Sequence, residues 1–399
     1  MSIQTSTPHD YSLLESFLQT HNRLDFMYVT WLDYMATMRV RILPMDEFKN
    51  RMQNGNRIGI SRGNTGTLQN DTVTSAVNAQ GQIFVEPSLD SLRITHSKDP
   101  LRSASVIASF RDEDYRPLRG CPRSSLETLV DRFNEEHKIT FFAGFEIEVV
   151  FLRRTPDTSK PFEPWDTNHA WSTLTPEQFL HALPVLAEIV TELKGVGIKV
   201  QQFHSESGPG QYEIVLPPLP LVAAVDTLVQ ARQIVHQIAA THGLRATLHP
   251  MPLSGVGSGQ HAHISLYSNT LSAAELERKE DAFFSSVLDH LPSLCAFMMP
   301  NQASYARVKE DIWTGGAWVT WGTHNREVPL RKVTQGRWEV RCLDGLANPY
   351  LAISSLLAAG IAGIEASKEM HYKDCLGKYY NVAAEKLSRN ANDEPRSGR

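Results

Sequence analysis

Apolar side chains at Tyr11, Leu13, Leu14, Phe17 and Leu18 gather on one face at helical spacing, so residues 1–22 read as a short helix. The stretch 26–43, FMYVTWLDYMATMRVRIL, reads as two strands around a turn. Gly, Asn, Thr and Ser dominate 53–82, which predicts a long loop, and strand-like pieces follow near 83–95 and 104–110. Residues 1–115 are therefore expected to form a small β-rich domain. After RPLRGCPRSS the pattern changes, and helices alternate with strands through 116–387. SSLETLVDRFNEEHK carries a capping pattern and an amphipathic stripe, and FFAGFEIEVVFL is a strong strand. A helix is predicted over 176–194, a strand over 211–216 and a long helix over 220–242. HAHISLYS reads as a strand, 273–298 as helical, and 337–343 as a strand before an Ala-rich helix. The polar tail 388–399 is expected to be disordered.

Charged residues inside apolar strands are the informative exceptions. Glu146 and Glu148 alternate with Phe145, Ile147 and Val149, so both carboxylates share one strand face. Such a pair repels and is costly to desolvate unless cations compensate it. A strand with one solvated face gives the same alternation. Three more segments repeat the device. His261 and His263 share a face, Arg337, Glu339 and Arg341 share another opposite Trp338 and Val340, and Glu206 and Glu213 flank the turn Ser207-Gly208-Pro209-Gly210. Four inward polar faces suggest one cavity. Five carboxylates and a histidine suit two or three hard divalent cations such as Mg²⁺ or Mn²⁺, and the arginines imply an anionic co-ligand such as a nucleotide phosphate.

Composition then removes classes. The 399 residues are 41% hydrophobic and carry a net charge of −5, which fits a folded chain and disfavours a broad nucleic-acid backbone interface. The start, MSIQTSTPHDYSLLESF, has no basic or apolar signal region, and the four cysteines form no CxxC pair, so a cytoplasmic location with reduced thiols is expected. The uncharged run Gly345–Ile364 touches membrane-span length, but Asn348, Pro349, Ser354 and Ser355 and its Ala/Gly content predict a buried helix packed through small residues.

In this order, WLDYMATMRVRILP, FEIEV, HSESGPGQYEI, GVGSGQHAHISL, SYARV, HNREVPLR and RWEVRCLDGLANPYLAISSLLAAG resemble the type I glutamine synthetase family, from about Leu24 to Cys375. The pattern is similar to the fungal glutamine-synthetase-like branch and to bacterial γ-glutamyl-polyamine ligases. The resemblance implies an α+β fold, with a small N-terminal β-grasp-like domain and a larger catalytic domain on a curved antiparallel sheet covered by helices. It implies a ring-shaped homo-oligomer with active sites between subunits, and the use of ATP. By the same resemblance, Glu148, Glu206 and Glu213 would hold a first metal, and Glu146, His261 and Glu339 a second. His263, Ser265, Arg326, Arg331 and Arg337 match ATP contacts, and Arg307, Arg341 and Gly257 match the substrate carboxylate site. Asp33 matches a residue that reaches into a neighbouring subunit, and Arg326 also matches a catalytic position.

Three departures stand out. Val256 replaces an asparagine that helps hold glutamate. Trp313 falls on or near the family's proton-accepting acidic residue; it could pack on an organic amine, while Glu310-Asp311 could supply the acid in another register. Relatives continue through a further helical segment, so stability and ring assembly are what the short C-terminus is expected to affect. The leading expectation is an ATP-dependent γ-glutamyl amide ligase using an amine larger than ammonia. A non-catalytic regulatory or scaffold protein and an ammonia-using glutamine synthetase are the alternatives.

Overall fold

The computed structural model describes residues 8–78, 80–96, 101–167, 170–308 and 314–376. The chain opens with α1 (Pro8–Thr20), β1 (Phe26–Leu32), β2 (Met38–Pro44), α2 (Met45–Asn54), β3 (Ile58–Ser61), β4 (Gln82–Ile94) and β5 (Ser103–Arg111). The strands form a five-stranded sheet in the order β2-β1-β5-β4-β3, with β1 and β5 parallel. Alternate residues Met27, Val29 and Trp31 of β1 face a core shared with Leu14, Phe48 and Phe110. The 53–82 stretch is not all loop: β3 interrupts it and pairs with β4. Four residues are too few to leave an alternating pattern among turn formers.

The rest of the chain runs α3 (Pro122–Arg132), β6 (Thr140–Arg154), β7 (Phe162–Pro164), α4 (Leu183–Gly195), β8 (Gln202–Ser205), β9 (Gln211–Val215), β10 (Leu219–Pro220) and α5 (Leu221–Thr241). It continues through β11 (Leu244–Thr247), β12 (Ala262–Tyr267), α6 (Ala273–Met298), α7 (Gln302–Arg307), β13 (Trp321–Thr323), β14 (Leu330–Thr334), β15 (Arg337–Val340) and α8 (Pro349–Glu365). A ten-stranded sheet has the main path β13-β14-β15-β12-β6-β9-β8. It is mixed rather than wholly antiparallel, because β13 and β14 run parallel.

One face of this sheet is packed and the other is polar. Phe145, Ile147 and Val149 of β6, Ile264 of β12, Ile214 of β9 and Trp338 of β15 enter one core with α5, α6 and α8. Trp338 stacks on Phe284 at 4.1 Å between centroids and donates from Nε1 to Glu280 at 2.7 Å. The capping box Ser272/Glu275 starts α6. The Ala/Gly-rich run forms α8, closely packed on α6. A Cβ at Gly360 would lie 2.0 Å from Phe283, and one at Gly363 would lie 2.2 Å from the Ala282 carbonyl. No helix among the described residues is long and apolar enough to cross a membrane.

The two sheets are tied through buried charge. Arg123 on α3 donates from Nε and Nη2 to the two Asp226 oxygens on α5, at 3.0 and 2.8 Å. It also reaches Ser88 on β4 and Ser109 on β5, and Tyr350 on α8 donates to Asp226 at 2.6 Å. The tail 388–399 lies outside the described residues.

Candidate active site

Because residues alternate across a strand, the partners of these core residues share the opposite, polar face of the sheet, on which one cavity opens. Six consecutive strands contribute in spatial order: Arg331 from β14, Glu339 from β15, His263 from β12, Glu146 and Glu148 from β6, Glu213 from β9 and His204 from β8. Pairing sets the neighbours, with Glu339 opposite both Arg331 and His263, and Glu148 opposite Glu213. His261 lies just ahead of β12, and Glu206 just past β8.

The distances are those of one network. Glu146 Oε2 lies 2.9 Å from His261 Nδ1, and its Oε1 lies 2.8 Å from His263 Nε2. His261 Nδ1 is 3.3 Å from Glu339, and its Nε2 is 3.5 Å from Glu148. Glu148 also accepts from the Gly259 N–H at 2.6 Å and from Gln211 Nε2 at 3.2 Å. Glu339 is fully buried and pairs with Arg331 at 2.6 Å and with Arg341. Arg337 Nη2 is 3.3 Å from His263 Nδ1. The cavity encloses about 510 Å³, and its walls include Trp171, Val256, Gly257, Arg307, Arg326 and Arg341 beside the carboxylates.

Electrostatics divides the carboxylates into two groups. Burial alone would raise Glu146, but hydrogen bonds from His261 and His263 hold it far below the usual carboxylate range. Glu339 is also lowered, since Arg341 and His261 outweigh its burial. Glu206 goes the other way: burial, then the charges of Glu148 and Glu213, push it up to about 7. Burial raises Glu213 as well, despite its hydrogen bond with His204. His204 is raised to about 9, chiefly by that hydrogen bond. Burial and Arg341 would lower His261, but Glu146, Glu148 and Glu339 raise it overall. The Glu206 end thus carries more negative charge than its surroundings neutralise.

That donor set fits divalent cations. Three groups each hold ligand atoms within 4.8 Å of one another: Glu146, Glu213 and His261; Glu146, His263 and Glu339; and His204, Glu206 and Glu213. Carboxylate oxygens with an occasional imidazole suit Mg²⁺ or Mn²⁺.

The sequence profile described as "Glutamine synthetase, catalytic domain" matches residues 119–397. The chain belongs to the glutamine synthetase family. It is 43% identical over 367 residues to protein fluG of Emericella nidulans, covering 91% of this chain and 41% of fluG. It is 32% identical over 303 residues to the γ-glutamylpolyamine synthetase GlnA3 of Streptomyces coelicolor, covering 72% of this chain and 64% of GlnA3. The chain thus spans less than two thirds of either relative. A solved structure titled "GmaS/ADP complex-Conformation 1" superposes with a TM-score of 0.80 at 25% identity, covering 94% of this chain and 87% of that one.

Not every residue matched to a glutamine synthetase role lies open in the cavity. Arg307 is buried and donates through Nη2 to the carbonyls of Cys342, Arg341 and Leu343, at 2.6, 3.3 and 3.4 Å. Gly257 stands against it, where a Cβ would lie 2.8 Å from Thr314. Ser265 follows His263 on the same face of β12, opposite Arg337. Asp33 is buried outside the cavity wall, where its carboxylate accepts from the Met35 and Thr37 N–H groups at 2.9 Å and pairs with Arg39. Its carbonyl accepts from Asn348 at 2.8 Å. Trp313, Glu310 and Asp311 lie outside the described residues.

Several cavity residues escaped the sequence reading, among them His204, Gln211 and Trp171. His204 and Gln211 each precede a recognised glutamate by two positions, so alternation could have found them. Trp171 sits in a loop between Ala170 and Ser172, where no periodicity marks it. Its indole is 57% exposed and meets His204 edge-on at 5.9 Å.

Proposed function

We propose that this chain is an ATP-dependent ligase that joins the γ-carboxylate of glutamate to an amine larger than ammonia, through an acyl phosphate. The carrying observation is one cavity lined by four carboxylates, two imidazoles and three arginines, with Glu339 and His263 in contact with that set behind the wall.

The reasoning follows charge. A carboxylate has no leaving group, and phosphorylation by ATP provides one. Both reactants are anionic, so the barrier falls when their charge is neutralised in place. Glu148, Glu206 and Glu213 would hold one divalent cation and Glu146, His261 and Glu339 another, and bound cations would supply that neutralisation. His263, Ser265, Arg326, Arg331 and Arg337 would receive the phosphates. Arg307, Arg341 and Gly257, which line the cavity, would hold the substrate carboxylate, and Arg307 would have to release a carbonyl to contact it. Attack by the amine on the acyl carbon then expels phosphate, leaving the amide.

The larger amine rests on the exposed Trp171 indole and on Val256 in the cavity wall. An apolar wall favours carbon-bearing amines, whose stems it can cover. The name of GlnA3 points the same way. Asp33, paired with Arg39, does not line the cavity of its own chain, so the role proposed for it would require a neighbouring subunit in a homo-oligomer. The test is phosphate release with glutamate, ATP and Mn²⁺ or Mg²⁺ across ammonium, methylamine, ethanolamine and putrescine. Release with an organic amine exceeding that with ammonium supports the reading; no release above background with any of them overturns it.

A non-catalytic reading draws on one observation, the commitment of Arg307 to backbone carbonyls. It predicts that ATP with Mn²⁺ leaves the melting temperature unchanged.

A further inference from the structure

We propose that His204 is a direct ligand to a divalent cation shared with Glu206 and Glu213, giving the outer end of the cavity a nitrogen donor and a preference for Mn²⁺ over Mg²⁺. The all-oxygen set matched by resemblance at this end is Glu148, Glu206 and Glu213. In the folded chain His204 joins Glu206 and Glu213 in one mutually close group, which adds a nitrogen donor beside the three carboxylates. One Glu148 oxygen is already committed to the Gly259 N–H and Gln211.

The ring nitrogens of His204 have separate surroundings. Nδ1 lies 3.1 Å from the Ser205 carbonyl, an acceptor only, so this nitrogen carries the proton. In the neutral ring Nε2 then bears a lone pair, and it lies 3.2 Å from a Glu213 oxygen. Two acceptors at that separation need a proton or a cation between them. Glu206 Oε1 is 3.8 Å from Nδ1, and ligand atoms of His204, Glu206 and Glu213 lie within 4.8 Å of one another. A backbone carbonyl that fixes the tautomer is the arrangement that orients metal-binding imidazoles. Trp171 borders the ring edge-on.

The inference rests on the ligase reading only in supposing that cations occupy this cavity. Its test needs no turnover, so the two can fail separately. Mn²⁺ and Mg²⁺ chloride are titrated into the nucleotide-free full chain, as wild type and as H204Q and H204N, with free Mn²⁺ followed by electron paramagnetic resonance and Mg²⁺ by calorimetry. Both variants keep a polar side chain of similar reach, and melting curves check their fold. The expected result is a roughly tenfold loss of Mn²⁺ affinity at one site in each variant that folds, with Mg²⁺ affinity changed less than threefold. Imidazole nitrogen coupling to that Mn²⁺ should disappear with it. Unchanged Mn²⁺ affinity, or an equal loss for both cations, overturns the proposal, since equal loss marks a merely electrostatic or structural role.

Discussion

Removing divalent cations should make this protein less stable as pH rises, and the magnitude follows from Glu206. Its carboxyl is raised from 4.5 to about 7, so between those values the folded chain keeps a proton that the unfolded chain has lost. Stability from this group is therefore fully present below pH 4.5 and lost as pH climbs to 7. A displacement of about 2.5 units is worth about 3 kcal/mol. His204, raised to about 9, extends the loss between 6.5 and 9. Glu146 and Glu339 are lowered, so their contributions vanish only below the ordinary carboxylate range and do not oppose this trend. Bound Mn²⁺ or Mg²⁺ takes the place of the Glu206 proton, so metal affinity should fall about tenfold per pH unit below 7. Melting curves from pH 5.5 to 8.5, in EDTA and in Mn²⁺, read both effects. In EDTA the melting temperature should fall by a few degrees, and in Mn²⁺ it should hold or rise. Glu206→Gln should flatten the EDTA profile and weaken metal binding together. A metal-free profile that rises between pH 5.5 and 7, or a Glu206→Gln profile as steep as wild type, would refute the reasoning.

Trp171→Ala should lower kcat/KM for putrescine or ethanolamine by roughly tenfold while changing the ammonium rate less than threefold, measured as phosphate release. Gly360→Ala forces a methyl group into Phe283 and should destabilise by about 1–3 kcal/mol in urea unfolding, without altering Mn²⁺ affinity. Arg123→Met strands Asp226 without its cation where the two sheets meet, and should cost about 3–5 kcal/mol. Arg123→Met with Asp226→Leu should recover most of that loss.

The polar face of the sheet was legible because strand alternation is strict. Glu146 and Glu148, His261 and His263, and Arg337 and Glu339 each fall where a period of two puts them, with Trp338 and Ile264 opposite. The close packing of α8 was equally readable, because only small residues let two helices approach that far. What stayed hidden depends on contacts distant in sequence. Nothing local to Arg307 shows that the carbonyls of 341–343 will claim its guanidinium. Nothing local to Asp33 shows that Asn348 will meet its carbonyl across the two sheets. The parallel pairing of β13 with β14 is a fact of topology, which hydrophobic pattern alone does not encode.

The carboxylates and imidazoles of the cavity sit on, or within a residue of, hydrogen-bonded strands, whereas Trp171 and Val256 sit on connecting segments. The two sets can therefore drift at different rates. Moving one strand residue disturbs neighbours on both sides through the pairing register, so the charged array changes all at once or not at all. A connecting segment can be exchanged without touching that register. Grafting the segment around Trp171 between related ligases should carry amine preference with it and leave the phosphate-handling array intact.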